Sequence, residues 1–193
     1  MVNLFKLIQI LGKNTGNEMP MRQLSIEAKV PYTTTIRLIN ANKSLFVINP
    51  KGNIKLVSLN LDDSITKNYL ILAERQEAEG FLKKEAMFRL FKGDLPKGEY
   101  ALILFGSRAD GTHREKSDVD LCIINKKGEK NLRFSKLELI NNVEVNPMYF
   151  ADKEFEAMLR DKEHNVGKEI VKKHIVLYGE EYFWNLVWNN GIR

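Results

Sequence analysis

The sequence contains a single cysteine, Cys122, and no apolar run long enough to cross a membrane. A lone thiol forms no internal disulfide and builds no Cys-based metal site, so disulfide-stapled scaffolds are excluded and a reducing compartment, the cytoplasm, is expected. A spanning helix needs about 20 consecutive apolar residues. Lys6 interrupts even the apolar start Val2, Leu4, Phe5, Leu7, Ile8, and neither a signal peptide nor a membrane anchor is read. The histidines His113, His164 and His174 lie far apart and lack the short spacing of a His-pair metal site. Internal repeats and low-complexity tracts are also missing, which removes solenoids and biased linkers.

What is present suits a packed core. Of 193 residues, 44% are apolar and 28% charged, far from the signature of disorder. That length fits one medium domain or two small ones. The net charge of +5 is unevenly placed. Residues 1–60 hold eight bases (Lys6, Lys13, Arg22, Lys29, Arg37, Lys43, Lys51, Lys55) and two acids (Glu18, Glu27), which leaves 22 bases and 23 acids for the rest. The excess belongs to the first third, as expected of a unit that binds a polyanion; the alternative is a solubilising basic surface.

Leu4, Leu7, Ile8 and Leu11 recur at helical spacing, so a helix is predicted over residues 2–12. Lys13 to Met19 reads as a loop. A second helix begins near Met21 and closes on Leu24, Ile26, Ala28 and Val30, and Pro31 precedes a third from Tyr32 to Asn42. Leu45–Asn49 and Asn53–Leu59 are β-type runs separated by Pro50, Lys51 and Gly52, a hairpin turn composition. In this order, and in the stretch RQLSIEAKVPYTTTIRLINANKSLFVI, residues 1–60 resemble a winged helix-turn-helix. The resemblance implies a third helix lying in the DNA major groove. Its candidate contacts are Tyr32, Thr33, Arg37 and Asn40; Arg and Asn can bond guanine and adenine edges. Lys43, Lys51 and Lys55 would lie near phosphates. Winged helices also serve protein contacts alone, and that alternative stays open.

Residues 61–94 read as a helical connector, with Gly80 dividing it into two helices and Lys92 to Gly98 ending it. The remaining domain, residues 95–193, opens with Tyr100–Phe105 (YALILF), a short apolar run typical of a buried strand. Gly106 and Ser107 follow at once. A bare Cα lets phosphate approach the backbone, and a helical turn from Ser107 offers amide donors and a hydroxyl. The next buried strand, SDVDLCII, starts with Asp118 and Asp120, two apart and therefore on one face, while Val119, Leu121 and Ile123 face the core. Two such carboxylates suit a hard cation, Mg²⁺ or Mn²⁺, which retains substrate phosphates among its ligands.

The segment LFGSRADGTHREKSDVDLCII resembles the nucleotidyltransferase superfamily that includes DNA polymerase beta, kanamycin nucleotidyltransferase and the minimal nucleotidyltransferases of toxin and antitoxin pairs. The resemblance covers roughly residues 95–185 and adds Arg108, Ala109, Gly111 and Ser117 to the match. It implies an α/β (α+β) fold with a small mixed sheet, ATP or another nucleoside triphosphate as substrate, and nucleotide contacts from Gly106, Ser107, Arg108, Lys116 and Ser117. It also implies a third carboxylate on a later strand. Glu144 in NNVEVNPMYF is chosen for its place between Val143 and Val145; Glu138 in KLELI is the competitor, and a solvated strand-edge acid is the plain alternative. With Glu144, three carboxylates would hold two metals about 3.5 to 4 Å apart. One departure stands out: Asp110 occupies a position often basic in the family.

The expected activity is transfer of a nucleoside monophosphate, AMP from ATP, to an unidentified acceptor. The rival expectation is a DNA-binding regulator or antitoxin that binds nucleotide with little turnover. His113 reads as a solvated loop residue and Cys122 as a small buried side chain. The C-terminal group Tyr178, Tyr182, Phe183, Trp184, Leu186, Val187 and Trp188 has core-like helical spacing; a protein partner or a homodimer contact is the alternative for it.

Overall fold

The apolar spacing of the chain is realised as helices and strands that bury those residues. A computed structural model describes residues 2–14, 17–114 and 117–190. It divides into two compact units, residues 1–73 and 74–190, with the boundary inside one long helix.

The first unit contains α1 (Val2–Lys13), β1 (Met19–Pro20), α2 (Met21–Glu27), α3 (Tyr32–Ala41), β2 (Phe46–Lys51) and β3 (Ile54–Leu59). Leu7 and Ile8 of α1, Leu24 of α2, Ile39 of α3 and Val57 of β3 are fully buried and form its centre. The three strands are antiparallel in the order β1-β3-β2. Pro50 and Lys51, expected to form the turn, belong instead to β2, where Pro50 pairs with Lys55 and Lys51 with Ile54. Proline is tolerated there because β2 is an edge strand, so its missing N–H can face away from the ladder. The turn is reduced to Gly52 and Asn53, with Gly52 at φ +59°. The second helix also stops earlier than expected, at Glu27, because Lys29 turns to φ 53° and the Val30 N–H folds back onto the Ser25 carbonyl.

A long helix, α4 (Ser64–Lys84), is followed by α5 (Ala86–Gly93). Gly80 does not divide them. It sits exposed within α4, and the break falls at Glu85. A glycine inside a helix costs about 1 kcal/mol relative to alanine, which good neighbours outweigh.

The second unit is built on a four-stranded mixed sheet of order β6-β5-β4-β7, from β4 (Tyr100–Phe105), β5 (Val119–Asn125), β6 (Val145–Ala151) and β7 (His174–Tyr178). Strand β4 runs antiparallel to β5 and β7, and β5 runs parallel to β6. Leu102, Leu104, Val119, Leu121 and Ile123 share one core with Ala78, Phe88 and Leu137, so α4, α5 and α7 (Ser135–Asn141) cover that face. Helices α8 (Asp152–Arg160) and α10 (Glu180–Asn190) pack on the sheet as well, and α9 (Val166–Lys172) leads into β7. Phe183, Trp184 and Val187 of α10 are fully buried and Trp188 nearly so, which gives the C-terminal aromatic group the core role that its spacing suggested.

The α9–β7 corner is fixed from inside. His174 is 1% exposed; its Nδ1 lies 2.9 Å from the carbonyls of Ile170 and Val171, and its Nε2 lies 3.2 Å from Glu74 Oε2. The same carboxylate oxygen accepts the Trp184 indole N–H at 3.3 Å. Burying such groups is tolerable only when they are hydrogen-bonded. Here the network anchors the residue before His174, which is Lys173.

Candidate active site

Strand β5 is buried at Val119 and from Leu121 to Asn125, but not at Asp120. Asp118, immediately before the strand, is exposed and Asp120 is half-buried, so the sheet face opens where the carboxylates stand. Phe105, the last residue of β4, is the register partner of Asp120, and Asn146 of β6 is its partner on the other side. Neighbours in register point to the same face of a sheet. Asn146 accordingly reaches Asp118, its Nδ2 donating to Oδ2 at 3.3 Å.

At the end of β4 the chain enters α6 (Gly106–Asp110) through Gly106 at φ +69°. A Cβ at Gly106 would collide with the Asp120 carboxylate. The glycine therefore does two things: it adopts a backbone conformation that costs other residues, and it lets a carboxylate stand against its Cα. Ser107 is held by its own carbonyl, which accepts the backbone N–H groups of Gly111, Thr112 and His113.

Gly106 and Ser107 also form one wall of an open cleft of about 580 Å³. The other side comes from His164, Asn165, Val166, Glu169 and Lys173, with Phe105, Asp110 and Thr112 completing it. Asp110 Oδ1 accepts the Thr112 hydroxyl at 2.5 Å and the Thr112 N–H at 3.1 Å, and Oδ2 lies 3.4 Å from Lys173 Nζ. The hydrogen bonds from Thr112, supported by the Lys173 ammonium, hold the Asp110 carboxyl below the usual carboxylate range. Across the cleft His164 Nε2 meets Glu169 Oε1 at 2.6 Å.

The sequence-derived residues are thus partly brought together. Gly106 and Asp120 meet, Ser107 shares a cleft with Gly106, and Asp118 is bonded to Asn146; neither aspartate lines that cleft. Arg108 was expected to reach phosphate; its guanidinium is instead buried and bonded to the chain, Nε to the carbonyls of Ser117 (3.0 Å) and Asp118 (3.1 Å) and Nη2 to Ser117 (2.5 Å). Ser117 is likewise occupied in a turn, its Oγ accepting the Arg114 N–H at 2.9 Å. Lys116 lies outside the described residues. Glu144 precedes β6, is exposed, and borders a separate hollow with Ser135, Glu138 and Asn142. Glu138, the competitor for the third carboxylate, is on α7, and its Oε1 accepts the Val145 N–H at 3.2 Å. Among the described residues no group of three or more His, Cys, Asp or Glu side chains is placed to hold a metal ion, although the Glu144 carbonyl accepts the N–H of Val119, the residue between the two aspartates, at 2.8 Å.

Two residues were missed from the sequence. Asn146 follows from the same alternation that selected Glu144, since the two are two apart; only the preference for a carboxylate passed over it. Lys173 has no local signal, because it is brought to Asp110 by the pairing of β7 with β4.

In the first unit Tyr32, Thr33, Arg37 and Asn40 are all exposed on α3, and Lys43 and Lys55 are exposed beyond it. Lys51 is paired, its Nζ 3.3 Å from Glu18 Oε2, and Asn49 Nδ2 donates to the same carboxylate at 2.9 Å. No helix among the described residues is long and apolar enough to cross a membrane.

A glycine turn with one carboxylate against its Cα, and a second carboxylate two residues earlier, immediately before the same strand, suits phosphoryl transfer. The family model for the nucleotidyltransferase domain matches residues 85–183, just over half of the chain, and the chain belongs to that family. No curated protein and no solved structure matches it.

Proposed function

We infer that residues 74–190 transfer a nucleoside monophosphate, AMP from ATP, to an acceptor and release pyrophosphate, and that residues 1–60 are a DNA-binding winged helix-turn-helix. The observation that carries the transferase reading is the closeness of the Gly106 Cα to the Asp120 carboxylate, at a cleft whose wall contains Ser107. An oxygen donor set of two carboxylates fits Mg²⁺, or Mn²⁺ in its place, bound through one or two carboxylates and substrate phosphates. Asp118 and Asp120 would hold it, and when bound it would neutralise charge on the triphosphate.

The remaining work falls to the chain. Gly106 lets the Asp120 carboxylate stand against the backbone turn, and Ser107, in the wall of the cleft, donates its hydroxyl to phosphate. Asn146 orients Asp118 by donating to it. Arg108 ties down the Ser117–Asp118 backbone and so sets where the first carboxylate starts. Glu144 is left out of the reading because, among the described residues, it forms no metal-holding group with the aspartates. Catalysis in this layout is positioning and charge neutralisation rather than covalent chemistry.

The test is incubation with ATP labelled in its α-phosphate, Mg²⁺ and cell lysate, followed by a search for a labelled product. Asp118→Asn and Asp120→Asn should abolish labelling while circular dichroism stays native. Full labelling by either variant overturns the assignment. A second reading, a DNA-bound regulator or antitoxin that senses nucleotide, draws on Asp110 in the cleft; nucleotide binding with no labelled product would favour it. For the first unit, gel shifts on flanking genomic DNA should weaken with salt, and Lys43→Ala should lower the salt slope by about 1.

A further inference from the structure

Lys173 is the only lysine or arginine among the described residues that line the Ser107 cleft. Arg108, the nearest base in sequence, is committed to the carbonyls of Ser117 and Asp118 and is not among the residues that line the cleft. A triphosphate in the cleft needs a cation on the protein side, and Lys173 is placed to be it.

Its partner is arranged for exchange. Asp110 is anchored through Oδ1, which receives both Thr112 donors, and only Oδ2 faces Lys173 at 3.4 Å. The Lys173 side chain is 65% exposed, on a flexible four-carbon stem, whereas its backbone is pinned next to the buried His174. Exposed ion pairs of this kind are weak and readily exchanged for a stronger anion. Phosphate oxygens are such an anion.

Building on the reading that the cleft takes a nucleoside triphosphate, we propose that Lys173 contacts its outer phosphates, and that Asp110 holds Lys173 in the empty cleft and competes for it. Asp110 then tunes affinity through Lys173 and not by bare repulsion.

The test is calorimetric titration of the full chain with Mg-ATP, inorganic tripolyphosphate and adenosine, using wild type, Lys173→Met, Lys173→Arg, Asp110→Asn and the double variant Asp110→Asn/Lys173→Met. Lys173→Met should weaken ATP and tripolyphosphate about tenfold, the size of one charge-assisted contact, and leave adenosine unchanged, with Lys173→Arg retaining most of the affinity. Asp110→Asn should tighten both phosphate ligands several-fold, and that gain should vanish in the double variant. Unchanged binding by Lys173→Met, where the wild type binds, overturns the proposal alone. An equal gain from Asp110→Asn with and without Lys173 reduces Asp110 to simple repulsion and overturns the exchange. Failure of wild type to bind either ATP or tripolyphosphate sinks the nucleotide reading together with it.

Discussion

Gly106 and Asp120 are in contact so close that no side chain fits between them: a Cβ on the glycine would stand inside the aspartate's carboxylate. The contact joins the end of β4 to the start of β5, where Asp120 is in register with Phe105, the residue before Gly106. Backbone turn and carboxylate therefore cannot move independently. Gly106→Ala should fail on two counts, since φ +69° is costly for alanine by about 1 to 2 kcal/mol and the new methyl group must displace Asp120. Labelling from ATP is expected to fall by about 100-fold or more, with a modest drop in thermal stability. An alanine variant that labels as well as wild type would show that the contact has no bearing on activity.

Arg108 links the same turn to the first aspartate. Its guanidinium makes three hydrogen bonds to two carbonyls and the residue is 7% exposed, so truncation removes a buried donor group from two carbonyl acceptors. Arg108→Met should destabilise the unit by about 2 to 3 kcal/mol in urea unfolding. Arg108→Lys should recover little, because an ammonium cannot reproduce the planar fork. A phosphate-binding role would give the opposite pattern: small loss of stability, and partial rescue of nucleotide affinity by lysine.

Much of this site is legible in the sequence because it is local. YALILF followed by GS is a strand meeting a turn, and the alternation in SDVDLCII alone places the two acids on one face. Strand β4 begins and ends where that run does. What the sequence hides is the use to which each group is put. Nothing near Arg108 announces that its partners are carbonyls nine and ten residues away, and nothing near Lys173 points to Asp110, 63 residues earlier. Asn146 depends on the parallel pairing of β5 with β6, a long-range choice. The same holds in reverse for Gly80: its composition signals a break, yet the rest of α4 is favourable enough to carry a helix through it.

Gly80 offers a direct check of that last point. It is exposed, and a Cβ there meets nothing within 4 Å. Gly80→Ala should stabilise the chain by about 0.5 to 1 kcal/mol, by raising helix propensity and reducing the freedom of the unfolded chain. Chemical denaturation with an unchanged slope would isolate the effect. Destabilisation instead would mean that α4 bends or opens at this residue.

Alkaline pH probes the other end of β4. Tyr100 is 2% exposed, donates its hydroxyl to the Pro96 carbonyl at 2.7 Å and stacks on Tyr178 with ring centres 4.5 Å apart. Burial, reinforced by the neighbouring Tyr178, pushes its phenol from 10.0 up to about 12. Burial raises Tyr149 and Tyr182 in the same direction, and for Tyr182 the Asp152 carboxylate adds to it. A raised folded value means that the unfolded chain ionises first. The contribution of Tyr100 is therefore complete below about pH 10 and drains away as pH rises toward 12, by about 2 to 3 kcal/mol in all. Urea unfolding followed across this range, with phenolate absorbance read in parallel, should show stability falling before the buried rings titrate. Tyr100→Phe should be less stable at neutral pH, where the Pro96 carbonyl has lost its donor, yet lose less between pH 10 and 12. Parallel pH curves for the two proteins would mean that Tyr100 ionises as freely in the fold as outside it, and that the stacked pair is open to water.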